Sequence, residues 1–262
     1  MEDAVQQLLA YKGLVVGGWL LVLFVLERVS PAAPPPGGDG RWGWRRLARN
    51  AGLWLANIGL SPLVVIPVSL WAAGQSVGWR PDWWGGAPGL LVDLVLLDFL
   101  IFWWHMANHR VPLLWRFHEI HHLDHFLDTT SAVRFHFGEV LLSALARAAI
   151  IVALDIPIAS IVVFETIVLA AALFHHSNVR LPPALERALA LVIITPSLHW
   201  VHHHAVRTDT DSNYGTLFSF WDRLFGSRSA TRRALDMEIG VERRAERPLL
   251  GLLIRPFRPA GR

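Results

Sequence analysis

Pro88-Gly-Leu-Leu-Val-Asp93-Leu-Val-Leu-Leu-Asp98-Phe-Leu-Ile-Phe-Trp-Trp104 runs without interruption into His105-Met-Ala-Asn-His109. The first part is an apolar run close to the ~20 residues a helix needs to cross a bilayer. The second sets two imidazoles four residues apart, on one face of the same helix. Outward from this segment, further apolar runs cover 13–26, 51–73, 138–154 and 158–174. The sequence therefore predicts an all-α, polytopic membrane helix bundle of four to five spans. Composition agrees: 53% hydrophobic residues, 17% charged residues and thirteen tryptophans in 262 residues describe a chain whose solvent is largely lipid.

All thirteen histidines fall between His105 and His204. Besides His105 and His109, they form the boxes His118-Glu-Ile-His121-His122 and His199-Trp-Val-His202-His203. Each box aims two or three rings in one direction. One such box alone reads equally well as a helix face with surface imidazoles, but three together do not. Eight imidazoles exceed the four ligands of a structural zinc site, so two metal ions are expected. His176, closing the fifth apolar run, faces the same way and is expected as a ninth ligand. His136, His175 and His204, with His125, are expected as neighbours of the centre or partial ligands. Asp98, seven residues before His105, is expected to orient a histidine through its second ring nitrogen, and Asp211 and Asn213 after the last box to do similar work.

The absence of cysteine excludes disulfides, iron–sulfur ligation and thiolate sites. One lysine and twenty-three arginines give a basic chain, but the arginines flank apolar runs and fill the C-terminal stretch, so no nucleic-acid partner is expected. Lysine and arginine favour the cytoplasmic side of membrane proteins. If Arg28, Arg41, Arg45, Arg46 and Arg49 form a cytoplasmic loop, alternate crossings bring every histidine to that same face, as in a bacterial inner-membrane protein. The domain reading is an uncleaved N-terminal anchor helix with a Pro/Gly/Arg-rich linker (1–50), a membrane domain (51–226) and an arginine-rich tail (227–262). Residues 30–41 read as the linker, 155–157 as a tight turn and 184–194 as a short amphipathic helix. Trp79, Trp83, Trp84, Trp103 and Trp104 read as an interfacial belt.

Two other readings compete. His118-Glu119-Ile-His-His122 contains a His-Glu-x-x-His match, in which a zinc membrane protease uses the glutamate as general base. A histidine-lined metal transporter is the non-enzyme option, though its histidines belong inside the spans rather than at their ends.

From Asp98 to Gly226 the chain resembles the fatty acid hydroxylase/sterol desaturase superfamily of integral-membrane di-iron oxygenases. The likeness lies in the run from Asp98 to His105, Leu114-Trp-Arg-Phe-His118-Glu-Ile-His-His122, Thr130-Ser-Ala-Val-Arg134-Phe-His136, His176-Ser-Asn178, Thr195-Pro-Ser-Leu-His199-Trp-Val-His-His203, and Asn213-Tyr-Gly215 to Trp221-Asp-Arg-Leu-Phe-Gly226. Met106, Phe137 and His204 depart from the pattern. The resemblance implies that the box histidines bind two iron ions, and that a lipid such as a sterol or fatty acyl chain is hydroxylated or desaturated with O2. The chain has no glycine fingerprint for flavin or nucleotide and no His-Pro-Gly-Gly haem segment. A separate electron donor, cytochrome b5-like or a ferredoxin with its reductase, is thus expected. Arg228, Arg232, Arg233, Arg243, Arg244 and Arg247 would meet either that donor or anionic lipid headgroups.

Overall fold

The computed structural model describes residues 2–35, 41–75 and 77–258. Among them the chain is helical, and β pairing is limited to isolated bridges. The long elements are α1 (Glu2–Val29), α2 (Arg41–Leu60), α3 (Ile66–Ala73), α4 (Gly86–Arg110), α5 (Pro112–His122), α6 (Phe137–Leu154) and α7 (Ile158–His176). A π-helical turn, Ser61–Val65, joins α2 to α3. It absorbs Pro62, which has no N–H to give to the helical ladder. Five helices are long and apolar enough to cross a membrane: Ala10–Val29, Gly43–Ala73, Gly86–Arg110, Phe137–Leu154 and Ile158–His176. Their outer faces expose Leu14, Leu21, Leu63, Leu70 and Leu91. Bare in water these would be costly, whereas lipid tails cover them without penalty. This is a multi-pass membrane protein.

Two boundaries differ from the sequence reading. The arginines at 45, 46 and 49 lie within α2 rather than in a loop, and a domain division at 50/51 would cut that helix. Residues 36–40, the middle of the predicted linker, lie outside the described residues.

Inside the bundle α1 lies along α7, and α3 lies along α6. Leu97, Ala148, Ile151, Ile156, Ile161 and Phe164 form the core of the end away from the histidines. There Asp155 turns α6 into α7 in the left-handed conformation, φ 54°. Asp93 is buried at that end, where it accepts from Arg80 at 2.6 Å, Trp84 Nε1 at 2.9 Å and Ser160 Oγ at 2.6 Å. It staples helices together. The turn at 155–157 stands as read, but the amphipathic helix is shorter, α8 being Pro183–Leu189.

At the opposite end the short helices α9 (Pro196–His202), α10 (Arg207–Thr210), α11 (Phe220–Leu224) and α12 (Leu249–Ile254) close the structure. Residues 227–258 are no free tail. Leu252 of α12 packs with Leu53, Ile120 and Leu123, and Glu246 pairs with the buried Arg134 at 2.7 Å. Of the tail arginines, Arg233 lies 4.0 Å over the Trp200 ring and Arg244 sits 3.8 Å from Glu119.

Arg46 fastens α2 to the segment after α5. Its buried guanidinium donates to Asp124 at 2.6 and 2.8 Å and to Asp128, Ser131 and the Phe126 carbonyl. Burial raises the Asp124 carboxyl, but Arg46 and Arg134 outweigh it and bring its pKa down to about 2. Because this pKa is depressed in the folded state, the contribution is present above the ordinary carboxylate range and lost as pH falls towards 2. Arg46→Met leaves both carboxylates buried without their cation, a change that typically costs about 3–5 kcal/mol. Thermal denaturation in detergent should show a marked loss of stability, and an unchanged midpoint would remove Arg46 from this role.

Candidate metal centre

Two short helices and two span ends deliver the histidines. Proline at the first helical position starts both α5 and α9, where its missing N–H is not needed. α5 carries the second box and α9 the third, while α4 and α7 end in His105/His109 and His175/His176. Two groups result. His105, His109, His118, His122 and His202 have one ring nitrogen each within 4.8 Å of all the others, and the same holds for His121, His176, His199 and His203. These are the eight box histidines together with His176. The groups adjoin, with the His122 and His203 rings stacked at 4.2 Å.

Outer hydrogen bonds fix which nitrogen faces inward. The Nδ1 atoms of His105, His121, His176 and His202 donate to the carbonyls of Tyr214 (2.8 Å), Arg134 (3.2 Å), Ala172 (2.8 Å) and Ser212 (2.6 Å). A neutral imidazole with Nδ1–H keeps its lone pair on Nε2. Burial first, and neighbouring imidazoles second, hold His121, His122, His199, His202 and His203 well below the ordinary histidine range, so these rings are neutral and keep a lone pair free.

The inward lone pairs then face one another. His121 Nε2 lies 3.1 Å from His176 Nε2, which lies 2.9 Å from His199 Nε2, itself 3.1 Å from His203 Nε2. No placement of protons on neutral rings satisfies the His121–His176 contact, since both Nδ1 protons are already engaged outside. The buried Nε2 of His202 has no partner at all. Acceptors converging on acceptors in a buried site fit a cation, and two sets of imidazoles fit two metal ions.

A carboxylate supports one set. His118 Nδ1 donates to Glu139 Oε1 at 2.7 Å. Asp211 Oδ1 lies 3.4 Å from His109 Nδ1, beside the ring but not in hydrogen-bond geometry with it. Glu139 escaped the sequence reading because it lies in an apolar run, 21 residues from its partner. Phe117 lies so close to Gly138 that a Cβ there would meet the ring at 2.5 Å, and this contact seats the first turn of α6 against α5.

Asp98 corrects an expectation. It touches no histidine and instead accepts from the N–H groups of Leu217 and Phe218 and from Trp221 Nε1 at 2.8 Å. Together with Asp222, which accepts from Tyr214 and Gly215, it clips the loop that presents the Tyr214 carbonyl to His105. A Cβ on Gly215 would sit 2.7 Å from the Phe218 carbonyl, so this loop requires glycine. Asn213, left-handed at φ 50°, ties the same loop to Leu198 and Ser229 rather than to a ring.

The remaining histidines work outside the groups. His136 caps α6 by accepting from Gly138 and donates to the Leu253 carbonyl. His204 bonds Asp209 at 2.8 Å, and His125 accepts from the Glu246 N–H. His175 lies against His199 with centroids 4.1 Å apart and the rings tilted by 48°. Glu119 is held by Arg255 at 2.8 and 2.9 Å, on the side of α5 away from the cluster. It is not available as the general base of a protease. Trp104 leaves the interfacial belt to line a cavity beside the centre.

Comparison with known proteins agrees with this arrangement. The fatty acid hydroxylase family matches residues 90–227. An ornithine lipid hydroxylase of Rhizobium tropici is 29% identical over 208 residues, covering 79% of this chain and 62% of that protein. A cholesterol 25-hydroxylase-like protein of Danio rerio is 30% identical over 57% of this chain and 62% of its own length. Human alkylglycerol monooxygenase is 30% identical over 51% of this chain and 29% of its own. The chain thus spans less than two thirds of each of these relatives. No solved structure matches.

Replacing a carboxylate that orients a ligating histidine typically weakens metal affinity about 10–100-fold. Glu139→Gln should do so in a divalent-metal titration of the purified protein, while Glu119→Gln should leave affinity unchanged. The reverse order would exchange their roles.

Proposed function

Because the chain belongs to the fatty acid hydroxylase family, we propose that it is a membrane-bound di-iron oxygenase that hydroxylates or desaturates a lipid. The observation that carries the reading is the convergence of buried, neutral imidazole lone pairs in two adjoining groups. His105, His109, His118, His122 and His202 would hold one iron, and His121, His176, His199 and His203 the other. The chemistry that two reduced irons supply, when bound, is activation of dioxygen towards an unactivated C–H bond.

The chain's own residues do the rest. Outer hydrogen bonds orient His105, His118, His121, His176 and His202 towards the site. A cavity of about 310 Å³ reaches His105, His118, His121, His176 and His199 from the membrane side, past Phe164 and Leu169. Its apolar wall seats a lipid chain and excludes water from the reacting carbon. Hydroxylation balances as R–H + O2 + 2 e⁻ + 2 H⁺ → R–OH + H2O, and desaturation removes two hydrogens and yields two waters. The electrons come from a separate donor, cytochrome b5-like or a ferredoxin with its reductase.

The arginine-rich start of α2 and the second histidine box lie at one end of the bundle, joined through Arg46 and Asp124. With the positive-inside rule this favours a cytoplasmic centre in a bacterial inner membrane. Purified protein should carry about two irons per chain, the number of imidazole sets that can each hold one ion. Cells producing it should accumulate a lipid that is heavier by one oxygen or lighter by two hydrogens. His121→Ala should abolish that lipid change and lower bound iron. Wild-type turnover in this variant, or a single zinc in the native protein, would overturn the assignment.

A further inference from the structure

Two helices wall the cavity beside the histidines. α7 offers Phe164, Val168, Leu169 and Ala172 with one carboxylate, Glu165, whereas α6 offers Glu139, Ser143 and Arg147 beside Val140. Glu139, Ser143 and Arg147 stand four residues apart, so they form one polar stripe along the helix. The stripe begins at Glu139 on His118 and passes Ser143, which accepts from Trp104 Nε1 at 2.9 Å. It ends where Arg147 meets Glu165 at 3.1 Å, and Glu165 in turn holds Lys12, the only lysine of the chain, at 3.2 Å.

Within this ion group Arg147 and Glu165 lie mid-span, each seven residues from the nearer end of its helix, whereas Lys12 reaches them from two residues inside the first span. Eight residues separate Glu139 from Arg147, about 12 Å of helix rise, and eleven separate Glu165 from His176, about 16 Å. Ionisable side chains at such depth are costly and mark functional paths more often than packing. Arg147 and Glu165 remain 27% and 28% exposed, so the cavity opens there, beside α1. Arg147 Nε is buried and has no hydrogen-bond partner among the described residues. The guanidinium has spent one arm on Glu165 and keeps a donor in hand.

We propose that Arg147, steadied by Glu165, is the polar anchor of the substrate cavity. It recognises an amphiphile with a hydrogen-bond-accepting oxygen, a carboxylate or a hydroxyl, whose alkyl chain runs along the α7 wall to the histidines. The carbon presented to the centre is then fixed by its distance from the polar group, roughly 12–16 Å from the helix rise. This assignment rests on the oxygenase reading for the fate of that carbon, but not for binding itself.

The test is equilibrium binding of palmitate, hexadecanol and hexadecane to the full-length protein in nanodiscs, with bound metal measured on the same samples. Wild type should hold palmitate or hexadecanol at least tenfold more tightly than hexadecane, as expected for a hydrogen bond to a charged group. Which of the two it prefers identifies the head. Arg147→Leu should hold all three alike with its metal content unchanged, and Arg147→Lys should recover part of the preference. No discrimination by wild type, or full discrimination by Arg147→Leu, would overturn the anchor. Binding that behaves as described in a protein that oxidises no lipid would count against the oxygenase reading alone.

Discussion

Everything at the histidine end answers to one electrostatic demand, which is that lone pairs buried together must face something positive. Five imidazoles meet in one set and four in the next, and the Nε2 atoms of His121 and His176 stand 3.1 Å apart. With both Nδ1 protons given to backbone carbonyls, neutral rings cannot satisfy that contact. The hydrogen bonds on their outer nitrogens, to Tyr214, Arg134, Ala172, Ser212 and Glu139, hold them there regardless.

The scaffold is built to supply those outer partners. Arg134 gives its carbonyl to His121 while its buried guanidinium bonds the Ile120 carbonyl, Asn50 and Glu246, so α2, α5 and the C-terminal segment meet on the residue that aims a ring. Asp98 and Asp222 perform the same service at one remove, clipping the loop that carries Tyr214. Polar groups at the ends of apolar spans thereby hold helices together and set ring orientation in a single network. This explains why a chain so rich in apolar residues still buries Arg46, Arg134, Asp98 and Asp124.

Much of this was legible beforehand, because helical periodicity is local. Spans follow from apolar run length, eight of the converging histidines from spacings of three and four, and His176 from its place at the end of the fifth run. What could not be read were partners set by long-range contact. Glu139 sits in an apolar run, and its bond to His118 exists only once α6 is laid against α5. Asp98 has the right sequence distance from His105, but along the helix that distance points it at the Leu217 to Trp221 loop instead. The basic character of residues 227–258 hides the apolar Leu249 and Leu252, which fold back on Leu53 and Ile120. The His-Glu-x-x-His match fails for a similar reason, since Arg255, far along the chain, claims Glu119.

Mössbauer spectroscopy of the anaerobically reduced protein, enriched in iron-57, tests the central claim most directly. The account predicts two high-spin ferrous environments in equal amount, distinct because one set has five imidazoles, one of them bonded to the Glu139 carboxylate, and the other has four, two of them held by backbone carbonyls. A single environment, or one whose ligands include the Glu119 carboxylate, would contradict it.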